Sequence, residues 1–234
     1  MDETNTHAPE TAVVHHPGDP GSRKNLRPGS AAHYPGNNLF DRLARVICEV
    51  DGLPRKELYE AWETARRVRR RFRGGRVVDL AAGHGLLAYV MLLLDEASPS
   101  ALAVDLRRPA LHPRLAAALE AAWPRLAGRV TYVEGRLEDV ALQPGDVVVS
   151  AHACGHLTDA ILDLAIAARV PVAVLPCCHV HEPHHPLAAW LPPDLCADVD
   201  RAWRLRAAGY DVRAQLIPGN ITPKNRLLLA IPRP

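Results

Sequence analysis

The sequence has no uninterrupted apolar run near the ~20 residues that span a bilayer, which excludes a membrane-spanning helix within it. It has little net charge: 28 Lys and Arg against 26 Asp and Glu leave +2, so any pull on nucleic acid must come from a local patch. It lacks a basic start followed by an apolar stretch. MDETNTHAPETAVVHH is acidic and polar, so no secretory leader is expected. No two of its five cysteines stand in C-x-x-C spacing, and no internal repeat is visible. An odd cysteine count without secretory features points to reduced thiols and a cytoplasmic location. What is present is 48% hydrophobic and 23% charged residues over 234 positions, the profile of one globular domain with a small appendage and a full core.

Residues 1–38 carry PGDPGSRKNLRPGSAAHYPGNN without apolar periodicity and are expected to form a flexible tail. Residues 39–73 form an N-terminal helical region. In LFDRLARVICEV the residues Leu39, Leu43, Val46, Ile47 and Val50 recur at helical spacing, and DGLP breaks the helix. The next segment, up to the Gly74-Gly75 pair, puts Leu58, Trp62, Ala65, Val68 and Phe72 on a core face. Its other face carries Arg66, Arg67, Arg69, Arg70, Arg71 and Arg73. Such a run is most often solvated and complements the helix dipole; the sharper reading is a phosphate-contacting patch through Arg66, Arg67 and Arg70.

Residues 74–234 alternate strand and helix. Val77 and Val78 open a buried strand that Asp79 closes, AAGHG is a turn, and LLAYVMLLL is the helix leaving it. This is the phosphate- or nucleoside-binding corner of a doubly wound sheet, where glycines let the backbone bend and a ligand approach. ALAVDL is a second strand ending in Asp105, twenty positions beyond Gly85, the distance at which a ribose-binding carboxylate is expected. RVTYVEG, GDVVVSAH and VPVAVLPCCH are further strands, with Thr158 as N-cap of the helix after the fourth. GYDVRAQLIPG and NRLLLAIPR close the series as a strand pair. The fold class is α/β: a Rossmann-like, seven-stranded, mainly parallel sheet with helices on both faces, plus N-terminal helices.

The glycine spacing at residues 79–85, D-x-A-x-G-x-G, is not that of a dinucleotide fingerprint, and an acid before the turn suits an ammonium-bearing ligand better than a pyrophosphate. The segment resembles the first motif of class I S-adenosylmethionine-dependent methyltransferases, and the order of elements after residue 76 resembles their sheet. The resemblance implies S-adenosylmethionine as cofactor, with the Asp79 region at the methionine ammonium, Gly83 and Gly85 allowing backbone approach, and Asp105 on the ribose. GRLED would line the adenine. Two positions depart from the pattern: Ala81 stands where the first glycine usually is, and Arg136 where an acid often contacts adenine, leaving Glu138 or Asp139 for that role.

Strand ends four and five carry SAHACGHLTD and LPCCH, and catalytic groups in such sheets gather at the carboxyl ends of strands. His152, Cys154, Gly155, Thr158 and Asp159, then Cys177, Cys178 and His179, resemble the H-x-C-G-x-x-T-D and Cys-Cys-His segments of a family that includes acceptor-stem tRNA 2′-O-methyltransferases. The likeness covers the core of the sheet, and the zinc-finger modules of those enzymes are absent. It implies RNA methylation, with RNA as the partner.

The chemistry of the cluster has several readings. His152 or His179 could be a general base with pKa near neutrality. A thiolate at Cys154, Cys177 or Cys178 could be a nucleophile, with Pro176-Cys177 half echoing the P-C signature of cytosine-5 enzymes. Cys and His in this number could bind zinc, although adjacent cysteines on a strand point to opposite faces. One of the cysteines could simply pack in the core, as is expected of Cys48 and Cys196. In the following insertion Trp190 could stack on a base, and Lys224, in NITPKN, could contact phosphate or be an ordinary turn residue. The expected function is methyl transfer to a base-activated nucleophile of RNA; the alternatives are a small-molecule or protein acceptor, or a non-catalytic zinc-binding module on the same fold.

Overall fold

The computed structural model describes residues 18–151, 153–176 and 185–234. The helices are α1 (Leu39–Val50), α2 (Arg55–Arg69), α3 (Leu86–Leu94), α4 (His112–Ala122), α5 (His156–Ala168) and α6 (Pro193–Ala207). The strands are β1 (Val77–Leu80), β2 (Ala101–Asp105), β3 (Val130–Glu134), β4 (Val147–Ala151), β5 (Val172–Leu175), β6 (Tyr210–Leu216) and β7 (Arg226–Pro232). They form one sheet in the order β3-β2-β1-β4-β5-β7-β6, parallel except for β7, which runs against both β5 and β6. The expected seven-stranded α/β sheet is therefore what the chain builds. The strand order reverses between β1 and β4, so a crevice opens above their carboxyl ends. No helix among the described residues is long and apolar enough to cross a membrane.

Helix α3 explains why the N-terminal helices exist. LLAYVMLLL is apolar all round, and a helix of that kind must be covered on every side. The sheet covers one side and α2 the other, burying residues 86–93. The core consequently runs without a break from Leu43 and Ile47 of α1, through Leu58 and Val68 of α2, to Met91 of α3 and Val77 of β1.

The folded part also begins earlier than its composition suggests. Residues 18–38, expected to belong to a flexible tail, wrap the corner between α1 and α2. Leu26 and Tyr34 are buried there. The Leu26 amide donates to the Leu53 carbonyl at 2.8 Å, and the Gly52 amide returns a bond to Leu26 at 3.2 Å. The reason is that two isolated apolar residues, too few to set a period, suffice to anchor a segment whose backbone is paired. Asn38 then caps α1 by accepting from the Asp41 amide at 2.9 Å.

Helix α2 ends at Arg69, four residues sooner than the run to Gly74-Gly75 implied. Arg69 does not belong to the outer face. It is buried, donates to the Met91 carbonyl at 3.1 Å and Ser98 Oγ at 2.7 Å, and pairs with Asp95 at 3.2 Å. Burial lowers its pKa to about 10, with Asp95 opposing that effect, so it stays charged. Its fork ties α2 to the end of α3, a tertiary role that no local pattern announces.

Candidate active site

The turn after β1 is held from several sides. Asp105, at the end of β2, accepts from the Gly83 amide at 2.8 Å. Tyr132 of β3 donates its hydroxyl to the Gly83 carbonyl at 2.7 Å. His112 of α4 donates from Nδ1 to the His84 carbonyl at 2.9 Å and lies 4.2 Å from the Tyr132 ring. Gly85 has φ +79°, and a Cβ there would stand 3.3 Å from His112 and 3.4 Å from Tyr132. A side chain would therefore be both strained and crowded. At Gly83, φ +53°, an added Cβ would meet nothing within 4 Å, so that side of the turn is open to a ligand.

Ala81 also lies in the left-handed region, at φ +56°. A non-glycine residue pays roughly 1–2 kcal/mol there, against about 0.5–1 kcal/mol of extra backbone entropy for glycine. Ala81→Gly is therefore expected to range from neutral to about 1 kcal/mol stabilising, a melting-temperature rise of up to about 4 °C by calorimetry. A fall of several degrees would show that the Ala81 methyl is needed for packing.

Above the β1–β4 switch point lies a cavity of about 280 Å³, counting its open mouth, lined by Asp79, Ala82, Leu86 and Leu87 of the corner, Ala151 of β4, and Glu57 and Ala61 of α2. Asp79 is buried and accepts from the Ala88 amide at 3.2 Å; among the described residues no cation pairs with it. Burial is the main cause that pushes its pKa up, to about 8; the Ala88 hydrogen bond opposes this, and the negative charges of Asp105 and Glu57 add to it. A buried carboxyl group lining this cavity, near an open glycine turn and a strand-end carboxylate, fits a ligand with an ammonium at one end and a ribose at the other. Asp105 keeps acceptor capacity beyond the one bond from the turn, with Oδ1 free of that bond.

Gly83, Gly85, Asp79, Ala81 and Asp105 thus lie together around the turn after β1. Glu138 and Asp139 form an exposed 3-10 turn after β3, and Glu138 pairs with Arg136 at 3.5 Å. Cys154 is exposed between β4 and α5 and makes no disulfide; Cys48 and Cys196 are buried, as a packing role requires. His152, Cys177, Cys178 and His179 lie outside the described residues. Among the described residues, no group of three or more His, Cys, Asp or Glu is placed to hold a metal ion.

The rest of the H-x-C-G-x-x-T-D segment is architectural. Helix α5 starts at His156 with Gly155 as N-cap, so Thr158 is not the cap. Its hydroxyl, buried, donates to the Ala153 carbonyl at 2.7 Å and closes the turn. Asp159 receives both arms of Arg201 from α6 at 3.0 Å each.

The basic face of α2 is largely neutralised by its own chain. Arg66 pairs with Glu63 at 3.1 Å, Arg67 pairs with the same carboxylate, and Arg71 pairs with Asp211; Arg70 is exposed. Arg66 lies five residues beyond Ala61, the nearer of the two α2 residues lining the cavity, about 7.5 Å along the helix at 1.5 Å per residue. Trp190 is 78% exposed. Lys224 pairs with Asp194 at 3.4 Å, an acid that Arg226 also holds.

Sequence reasoning missed Glu57 and His84. His84 Nδ1 meets Glu57 Oε1 at 2.9 Å and Oε2 at 3.0 Å, which raises the His84 pKa against the opposing effect of burial. The two are 27 positions apart, and Glu57 reads as one more charge on an amphipathic helix. The only available signal was a titratable residue between the two turn glycines.

A sheet in this order with its cavity at the β1–β4 switch point is that of a class I methyltransferase. A family model described as a methyltransferase domain matches residues 56–182, more than half of the chain, and the chain belongs to that family. The chain therefore carries a methyltransferase domain. No curated protein matches the sequence significantly. Among solved structures, an O-methyltransferase family protein from Burkholderia thailandensis aligns at TM-score 0.52 and 19% identity, over 90% of this chain and 65% of that one. The pyocyanin biosynthetic protein PhzM aligns at 0.50 and 19%, over 83% and 58%. The magnesium protoporphyrin IX methyltransferase of Synechocystis PCC 6803, solved with S-adenosylhomocysteine, aligns at 0.51 and 15%, over 83% and 94%. At these identities the likeness is one of fold. The chain spans less than two thirds of the first two proteins.

Proposed function

We propose that the protein transfers the methyl group of S-adenosylmethionine directly to a nucleophile of an RNA substrate. The observation that carries the transfer reading is the cavity at the β1–β4 switch point, with buried Asp79 lining it and Asp105 bonded to the glycine turn after β1. When bound, the donor supplies an electrophilic methyl group on a sulfonium. The chain's own part is positioning: Asp79 takes the ammonium, Asp105 the ribose, and the Gly83–Gly85 turn lets the backbone approach. His152, which follows the last residue of β4, or His179 serves as the base that accepts the proton of the attacking group.

RNA as acceptor is supported by the resemblance of residues 152–159 and 177–179 to the tRNA 2′-O-methyltransferases and by Trp190, an exposed aromatic surface for stacking. A small-molecule acceptor is favoured by one observation, the pairing of Arg66 and Arg67 with Glu63, which leaves Arg70 as the exposed member of the three. Mass spectrometry of cellular RNA and metabolites with and without the protein separates the two. A methylated nucleoside lost on deletion supports RNA; unchanged RNA with a lost methylated metabolite overturns it. With purified protein, Arg66→Glu combined with Arg70→Glu should weaken RNA binding severalfold, and an unaffected affinity would remove α2 from the RNA-binding surface.

A further inference from the structure

One wall of the donor cavity comes from outside the strand–turn–helix corner. Glu57 and Ala61, one helical turn apart on α2, face Asp79 and Leu86 across it. Two carboxylates lining one cavity repel, and Glu57 is among the charges that make Asp79 hold its proton. Such a pair is best satisfied by a cation placed between them. Beside Glu57 stands the imidazole of His84, in contact with both of its oxygens. The charged group that acts on His84 is Glu57 from α2, and the His84 carbonyl accepts from the His112 imidazole of α4. The cavity therefore presents two carboxyl groups, Asp79 and Glu57, with a basic imidazole bonded to the second, so that acidic and basic groups alternate on this side. The amino-acid end of the donor is a zwitterion, with an ammonium and a carboxylate on one carbon, and it needs that alternation.

We propose that Glu57 and His84 are donor-binding residues: Glu57 shares the α-ammonium with Asp79, and the His84 imidazolium faces the α-carboxylate. Helix α2, which precedes the Rossmann-like sheet, thereby recognises the amino-acid end of the cofactor. The proposal rests on the cavity being the S-adenosylmethionine site.

The test compares two ligands by calorimetry: S-adenosylhomocysteine, and 5′-methylthioadenosine, which keeps the nucleoside thioether but has no amino-acid end. Glu57→Gln and, separately, His84→Asn are each expected to weaken S-adenosylhomocysteine about 10- to 100-fold, the loss of a charge-assisted contact, while leaving methylthioadenosine binding unchanged. Unchanged methylthioadenosine affinity also certifies that the variant is folded. If both variants bind S-adenosylhomocysteine as the parent protein does, or lose both ligands equally, Glu57 and His84 only brace the turn and the proposal is overturned. If the parent protein binds neither ligand, the donor reading itself falls, and this proposal with it.

Discussion

Asp79→Asn is expected to reduce binding of S-adenosylhomocysteine at least 100-fold while making the ligand-free protein more stable above neutral pH. Both effects have one cause. Asp79 is buried, with one amide donor and no cation among the described residues. A buried carboxylate left without a cation costs several kcal/mol, and the protein avoids this by holding the proton up to about pH 8. The sign follows directly. The folded-state pKa is raised above the unfolded value of about 4, so the folded protein binds the extra proton. That contribution to stability is full below about pH 4 and is lost as pH rises through 8. Asparagine carries no such loss, so the melting temperature of the variant should exceed that of the parent by several degrees at pH 8.5, with the difference shrinking steadily as pH falls and vanishing near pH 4. Donor binding runs the other way. The ammonium selects the ionised carboxylate, so the thermal shift produced by S-adenosylhomocysteine should grow between pH 6.5 and 8.5 and release protons, visible as a buffer-dependent enthalpy. A ligand shift that is flat with pH, or an Asn variant that binds normally, would remove Asp79 from the ammonium site.

Arg201→Ala is expected to cost about 3 kcal/mol, a melting-temperature fall of roughly 6–12 °C for a chain of this length. Arg201 is 4% exposed and holds Asp159 through two 3.0 Å bonds, the Gly155 carbonyl at 3.2 Å and Asp198 at 3.4 Å. Its removal takes a partner from half-buried Asp159, which Arg204 also holds, and from buried Asp198, which Arg226 also holds. Arg201→Lys should recover little, because an ammonium cannot make the two-pronged contact. Since the fork grips the turn that leaves β4, turnover should fall while S-adenosylhomocysteine affinity, set on the β1 and α2 side, is kept. Chemical denaturation and calorimetry on the same variant check both halves. A melting temperature within 2 °C of the parent would show that the fork is dispensable.

The two predictions separate residues of one kind in the sequence. Asp79 and Asp159 both close a motif, yet one faces a ligand cavity and the other a helix. Reading the chain could not tell them apart, because the distinction lies in Arg201, 42 positions away on α6. The arginine run of α2 was likewise misleading as a single face. Arg69 turns inward to Asp95, and Arg66 and Arg67 serve Glu63, since a long side chain takes the nearest acid that folding presents. Residues 18–38 looked featureless because their anchors, Leu26 and Tyr34, are single apolar residues whose partners are distant.

The sequence by itself determined the βα corner at residues 77–94, the carboxylate at Asp105, the alternation of strands and helices, and hence the sheet and its donor. These depend on local signals: strand and helix periods, glycine at left-handed positions, and an acid at a strand end. Only the tertiary structure decided that α2 walls the cavity, that Glu57 meets His84 across 27 positions, and that the Thr158 and Asp159 pair is scaffolding. Each of those is a contact between surfaces that the chain brings together only after α3, apolar on every side, forces a second layer over it.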